Sequence, residues 1–348
     1  MLSIRTDMPV SLLQCDARSL SRALSGPTLF KLEGQRREIL FISVLLHGNE
    51  ITGWEVLRSL LLSYRERPLP RSLYLFIGNV AAAAEGRRCL PGQTDYNRIW
   101  KADGDTPEHK LAQQVLAELD GLPLFAAIDI HNNSGVNPHY ACINRLDPNF
   151  LHLARLFSRT VVYFIKPDEV MSLAMAAYCP SVTLECGQPG ETTGVSHARE
   201  FVEACLHLSA FPEQGLPDKE LDLFHTVATV KLKPGARIGM ARHDVDFALL
   251  PDMDKLNFTE LPAGSLFGWC NGDSLPLQAW DEQGREIGAQ YFDVHEGEVI
   301  TRTPVMPSML SLDQDIIRQD CLCYLMERLS LGQAQRKYAD EQRETGSA

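Results

Sequence analysis

Residues 37–50 read REILFISVLLHGNE, an apolar run from Ile39 to Leu46 that stops abruptly at a polar cluster. A short, nearly continuous apolar run is the mark of a strand buried on both faces of a parallel sheet. The polar HGNE then falls at that strand's carboxyl end. The following ITGWEVLRSLLLSYRE (51–66) places Trp54, Leu57, Leu61 and Leu62 at helical spacing, and RPLPRS (67–72) halts it. Strand, polar loop and helix thus follow one another.

The same texture continues through the first two thirds of the chain. SLYLFIGNV (72–80) reads as a second strand, and TPEHKLAQQVLAEL (106–119) as a helix with Thr106 as N-cap, Pro107 in the first position and Glu108 in the first turn. LFAAIDIHNN (124–133) repeats the opening pattern, an apolar strand ending in polar residues. NFLHLARLFSR (149–159) reads as a helix, VVYFI (161–165) as a strand, and SVTLECGQPGE (181–191) as a strand running into a glycine-bearing loop. Such alternation predicts an α/β fold with a mixed, mostly parallel sheet flanked by helices. At FPEQGLPDKE (211–220) Pro, Gly and charge accumulate, and beyond it short β-type runs such as TVATVKL, SLFGWC, LPLQAW and EVITRT are separated by KPGA, NGDS, DEQG and HEGE. The predicted organisation is a site-bearing domain over 1–215, a smaller β-rich C-terminal domain over 216–331, and a polar tail over 332–348 that lacks apolar periodicity.

With 33 basic against 45 acidic side chains the 348-residue chain carries a net charge of −12, and no Lys/Arg stripe is present, which excludes nucleic acid as a partner. No apolar run approaches the roughly 20 residues of a membrane span. The N-terminal MLSIRTDMPVSLLQCDARSL has Asp7 and Asp16 where a signal peptide would be apolar, so a soluble, cytoplasmic protein without a membrane partner is expected. Nine scattered cysteines, an odd number without a CxxC pair, argue against both a disulfide framework and a cysteine metal site. Cys321 and Cys323, two apart in DIIRQDCLCYLMERL (315–329), would face different sides of the helix this segment resembles. The oligomeric state, homo-oligomer included, stays open.

Three strand ends deliver groups capable of chemistry: His47 and Glu50 in HGNE, Asp129 and His131 in DIH, and Glu185 in TLECG. Open α/β sheets take ligands beyond the carboxyl ends of their strands, so these groups can converge despite their separation in sequence. Two imidazoles and one carboxylate make a three-ligand zinc set that leaves the fourth position to water. Zinc lowers the pKa of such a water toward neutrality, and the further carboxylate, Glu185, is suited to take its proton and pass it to a leaving nitrogen.

These residues resemble the zinc carboxypeptidase-like superfamily, and within it the succinylglutamate desuccinylase/aspartoacylase branch. LLHGNEITG (45–53) is similar to the branch's HGNE motif and DIHNN (129–133) to its DLH motif. DYNRIW (95–100) resembles its Asn-Arg pair and TLECG (183–187) its strand with the catalytic glutamate. The resemblance implies one zinc per chain held by His47, Glu50 and His131, with Asp129 orienting an imidazole. It also implies Glu185 as general base, Asn97 and Arg98 on a substrate carboxylate, and a β domain after the catalytic one. The branch's carbonyl-polarising arginine stands eight positions before that of the Asn-Arg pair. Here position 90 is Leu, and the nearest counterparts are Arg88, taken for the role, and its neighbour Arg87. The branch's assisting tyrosine falls on Tyr163 or Tyr178, and His139 reads as a hydrogen-bonding residue rather than a ligand. HNNSGVNPHYACINR (131–145) differs from the characterised members, which implies a different pocket around the substrate's side chain. The activity implied is zinc-dependent hydrolysis of an amide bond, deacylating an N-acyl amino acid or similar small carboxylate-bearing substrate. The alternatives are a zinc carboxypeptidase acting on peptides and a metal- or ligand-binding protein without catalysis, the last disfavoured by Glu185.

Overall fold

In the computed structural model, which describes residues 1–345, the run from Ile39 to Leu46 is buried throughout. It belongs to a first unit made of Met1–Asn132, His139–Leu223 and the stretch from Ser330. Its strands are β1 (Ser3–Arg5), β2 (Thr28–Leu32), β3 (Gly34–Val44), β4 (Leu69–Ile77), β5 (Leu124–His131), β6 (Tyr140–Ile143), β7 (Thr160–Tyr163) and β8 (Ser181–Glu185). They are hydrogen-bonded in the order β1-β2-β4-β3-β5-β8-β6-β7. The centre of this sheet, β4-β3-β5-β8, is parallel, and antiparallel pairing enters only at β2/β4 and β6/β8. The fold is therefore the mixed, mostly parallel α/β sheet expected.

The unit's helices are α1 (Val10–Leu13), α2 (Thr52–Ser63), α3 (Val80–Glu85), α4 (Pro107–Leu119), α5 (Pro148–Phe157), α6 (Met171–Met175) and α7 (Thr192–His207). Because side chains alternate along a strand, one face of β3 and β5 presents Phe41 and Ala127, which pack with Leu111 and Val115 of α4 and Met171 and Met175 of α6. The other face presents Val44 and Ile130 to α2. There the helix comes so close that a Cβ on Gly53 would lie 2.8 Å from Val44 Cγ1. As expected, Thr106 caps α4 by accepting the His109 amide, with Pro107 in the first position.

The second unit comprises Asn133–Pro138 and Phe224–Leu329. It holds β9 (Asp222–Leu232, entered from the first unit), β10 (Ile238–Gly239), β11 (Phe247–Ala248), β12 (Leu266–Cys270), β13 (Leu277–Trp280), β14 (Phe292–His295), β15 (Glu298–Thr301), β16 (Met306–Ser308) and β17 (Cys323–Arg328), with α8 (Gly288–Tyr291) and α9 (Gln314–Gln319). Antiparallel pairs link β13-β9-β17-β16, and β10-β11-β12-β15-β14 form a second sheet. Phe247, Phe267, Phe292, Val230 and Leu325 fill the core of this β-rich unit.

Two expectations need correction. The segment 315–329 is not one helix, because α9 ends at Gln319 and β17 follows. The Leu322 amide donates to Val230 O, and Cys323 and Leu325 pair with Val230 and Ala228 of β9, so sheet pairing overrides the local helical pattern. Cys321 and Cys323 are both buried. The segment expected as a polar tail instead forms a helix, α10 (Leu331–Thr345), while positions 346–348 lie outside the described residues. Good helix formers build it, Leu331 and Ala334 are buried, and the Tyr338 hydroxyl donates to Asp147 Oδ2 at 2.8 Å. Among the described residues no helix is long and apolar enough to cross a membrane.

Candidate functional site

Polar groups gather where the parallel strands end. After Val44 the backbone turns through Leu45, which adopts a left-handed φ of 57°, and sends His47 and Glu50 over the end of the sheet. Only glycine fits at position 48, since a Cβ there would lie 2.2 Å from the Ala83 amide nitrogen. β5 ends in His131 and β8 in Glu185, which are register partners.

His47 Nδ1 lies 2.7 Å from Glu50 Oε1, and His131 Nδ1 lies 2.7 Å from Glu50 Oε2. All three residues are buried, and one donor atom from each falls within 4.8 Å of the others. It is the one such group of three or more His, Cys, Asp or Glu residues found among the described residues. The outer ring nitrogens are held as well. His131 Nε2 lies 2.7 Å from Asp129 Oδ2 and His47 Nε2 3.0 Å from Asp95 Oδ1. A hydrogen bond on the outer nitrogen fixes which nitrogen keeps its lone pair for a metal. Asp129, fully buried, is itself anchored by the Ser43 hydroxyl, which donates to Oδ1 at 2.5 Å. Asn132 completes the support. Its amide donates to Glu50 Oε2 (3.0 Å), its Oδ1 accepts the Thr52 amide (3.2 Å), and its Nδ2 donates to Gly187 O (2.9 Å). The first turn of α2, which lacks a side-chain cap of its own, is thereby tied to the end of β5.

The electrostatics follow from this packing. Burial alone would raise the Glu50 carboxyl, but the His47 and His131 imidazoles outweigh it and hold it well below the usual carboxylate range. Burial opposes charge on His131, yet Asp129 and Glu50 on either side raise it well above an ordinary histidine. At Glu185 the balance falls the other way. Burial dominates, His131 lowers it in part, and the Glu50 and Asp129 charges add to the rise, so its carboxyl is pushed up to about 8. Buried carboxylates crowded around two imidazoles are a donor set that suits a divalent cation of the zinc type.

Arg88 is the arginine brought to this cluster: its Nε and Nη2 lie 3.0 and 2.9 Å from Asp95 Oδ2, and Nη1 is 4.0 Å from Glu50 Oε1. Arg87 points away, exposed, to a pair with Glu85 at 3.4 Å. Asn97 Nδ2 lies 3.3 Å from His131 Nε2, and its Oδ1 accepts the Met171 amide at 3.0 Å. Arg98 follows half-buried, donating from Nη1 to Asn97 O at 2.8 Å. Tyr163 is buried under Lys337, whose Nζ is 4.7 Å from its ring centre, while Tyr178 is exposed. His139 is not one of the three residues of that group, and its Nδ1 lies 3.0 Å from His197 Nδ1. Its pKa is lowered, chiefly by burial and then by His197.

Three supporting residues were not singled out from the sequence. Asp95 sits inside the quoted DYNRIW and Asn132 inside DIHNN, so their motifs were seen but not their tasks. Ser43 carries the plainest signal, as the one polar residue within an otherwise apolar buried run.

The catalytic-domain model of the succinylglutamate desuccinylase/aspartoacylase family matches residues 38–211. Among curated proteins none matches the sequence. Among solved structures the chain is similar to murine aminoacylase 3, with 16% identity over 85% of this chain and 97% of that one and a TM-score of 0.55. It is also similar to a succinylglutamate desuccinylase/aspartoacylase from Rhodobacter sphaeroides, with 14% identity over 86% and 88% of the two chains and a TM-score of 0.56. The succinylglutamate desuccinylase from Chromobacterium violaceum gives 18% identity over 76% and 84% and a TM-score of 0.51. At these identities the structures establish a shared fold. The family match, by contrast, spans half of the chain and takes in HGNE, the Asn-Arg pair, DIH and TLECG, so the chain belongs to the succinylglutamate desuccinylase/aspartoacylase family.

Proposed function

We propose that the protein is a zinc-dependent amidohydrolase that removes the acyl group from an N-acyl amino acid or a similar small substrate bearing a carboxylate. The observation that carries this reading is the buried convergence of His47, Glu50 and His131, with Glu185 in register beside His131. Those three residues would hold the zinc, which supplies Lewis acidity toward a carbonyl oxygen and toward water.

The rest is done by the chain's own groups. Glu185, the carboxylate outside the ligand set, takes a proton from the attacking water and delivers it to the leaving nitrogen. Arg88, poised between Asp95 and Glu50, aims positive charge at the oxygen where negative charge develops. Asn97 and Arg98 receive the substrate carboxylate, for which a guanidinium offers two parallel charge-assisted hydrogen bonds. Asp129 and Asp95 hold the imidazoles in orientation.

The test is a screen of zinc-loaded protein against N-acyl amino acids and short peptides, with free amine as the readout. Release of amine from N-acyl amino acids, falling as peptide length grows, is expected. Cleavage that improves with peptide length would indicate a carboxypeptidase, and zinc binding without turnover of any substrate would contradict the enzymatic reading.

A further inference from the structure

The β5/β8 ladder closes at the pair His131 and Glu185, and the next main-chain bond runs from the Cys186 amide to His131 O (3.1 Å). One step further on, a side chain takes over from the backbone. Asn132 Nδ2 donates to Gly187 O at 2.9 Å, as the amide of a continuing strand would. Gly187 adopts a left-handed φ of 74°, so the chain turns there out of the sheet toward α7. From the other side α7 comes so close that a Cβ on Gly194 would lie 2.0 Å from Cys186 O. The same carboxamide also reaches back to the start of α2. Its Nδ2 donates to Thr52 Oγ1 (2.9 Å) and its Oδ1 accepts the Thr52 amide (3.2 Å). One buried side chain thus ties together the segments that follow Glu50, His131 and Glu185.

The main chain and the side chain of Asn132 serve different groups. Its amide nitrogen donates to Glu50 Oε2 (3.0 Å), and Glu50 in turn meets His47 and His131, whose outer nitrogens rest on Asp95 and Asp129. None of those contacts uses the carboxamide. The carboxamide braces the turn that begins directly after Glu185. We propose, building on the deacylase reading above, that Asn132 is a positioning residue whose side chain fixes the general base Glu185 relative to the group His47, Glu50 and His131. A buried amide with its donor and its acceptor both engaged is costly to displace, which makes it a stiff link. Proton transfer needs hydrogen-bond reach, and a misplacement of about 1 Å can cost about 100-fold in rate. Shortening the side chain at position 132 therefore unties the turn after the base and leaves the contacts within the metal-capable group in place.

Asn132→Ala removes the carboxamide and keeps the main-chain amide that serves Glu50. The substitution is made in the parent and in Glu185→Gln, and kcat, KM and zinc content of the zinc-loaded full-length proteins are measured on the N-acyl amino acid that the screen finds best. In the parent background kcat should fall by about 10- to 100-fold, with KM within about threefold and zinc at the parent's level. In the Glu185→Gln background the same substitution should cost less than about threefold, because a base already removed cannot be misplaced. An equal loss in both backgrounds, a loss of zinc, or an unchanged kcat overturns the positioning role, while the deacylase reading stands on the parent's own turnover. A parent that deacylates nothing overturns both. Should Asn132→Ala fail to fold, Asn132→Ser, whose side chain ends one bond short of Nδ2, goes through the same comparison.

Discussion

His131 and Glu185 occupy the same register position on neighbouring parallel strands, one closing β5 and the other closing β8. Adjacent strands lie about 4.8 Å apart and register partners project to the same side of the sheet. The backbone thus sets a candidate general base beside a candidate metal donor, with no loop conformation needed to bring them together. Asp129, two residues earlier on β5, shares the face of His131 and reaches back to its outer nitrogen.

If His131 is a ligand and Asp129 its support, the two positions should differ in degree. His131→Ala should leave the protein without stoichiometric zinc. Asp129→Asn keeps a hydrogen-bonding partner but removes the charge, and should weaken zinc about 10- to 100-fold. Elemental analysis after dialysis against graded chelator distinguishes the two, and full zinc retention in His131→Ala would remove that residue from the site.

Glu185→Gln should lower turnover by about 100- to 10,000-fold with zinc content unchanged, because the side chain keeps its shape and loses its basic oxygen. The same exchange has a signature in metal-free protein. The Glu185 carboxyl is raised, mainly by burial, from 4.5 to about 8 in the fold, so between those values the folded chain holds a proton that the unfolded chain has released. Its contribution to stability is then fully present below about pH 4.5 and is lost as pH rises toward 8. Denaturant titrations should show metal-free parent losing stability relative to the Gln variant across that window. A constant difference from pH 4 to 9 would mean that Glu185 is not held protonated by its surroundings.

The two adjacent arginines should separate cleanly. Arg88 is drawn inward by Asp95 and lies near Glu50, so Arg88→Ala should cost about 100- to 1,000-fold in kcat, as removal of an oxyanion partner does. Arg87 pairs with Glu85 at the surface, and Arg87→Ala should stay within about twofold, as exposed ion pairs contribute little. Equal losses from both would place the carbonyl-polarising charge elsewhere.

What the sequence made legible, and what it did not, follows physical lines. Apolar runs ending in HGNE, DIH and TLE report strand ends directly, because burial on both faces leaves no other composition for a central parallel strand. The positions of the groups that converge were therefore readable. That Arg88 rather than Arg87 reaches the cluster depends on its pairing with Asp95, which lies outside the local pattern. The helical reading of Cys321 to Leu329 failed because β9, some ninety residues earlier, offers an edge that the segment completes. The helix after Ser330 was missed because its apolar contribution is small and packing supplies much of its support. The excursion of residues 133–138 into the second unit leaves no compositional trace at all, since Asn257 and Leu310 that hold it are more than a hundred residues away.

Arg98 offers the most discriminating test of substrate class. Its backbone amide is held by Asp95 O and its Nη1 by Asn97 O, so the guanidinium leaves a loop whose course is fixed beside His131. If it grips a substrate carboxylate, the grip depends on the planar fork of two N–H donors, which lysine lacks although it keeps the charge. Arg98→Lys should then be harmful: loss of a desolvated charge pair costs about 2 to 5 kcal/mol, lowering kcat/KM by one to a few powers of ten on a free-acid substrate. The neutral amide of the same substrate should be poor with the parent enzyme and little changed by the substitution, because it has no carboxylate to grip. Comparing kcat/KM for acid and amide in parent and variant closes a double-mutant cycle between guanidinium and carboxylate. A coupling close to zero, with acid and amide losing rate equally, would detach Arg98 from the carboxylate and assign it to the charge that faces the reacting carbonyl.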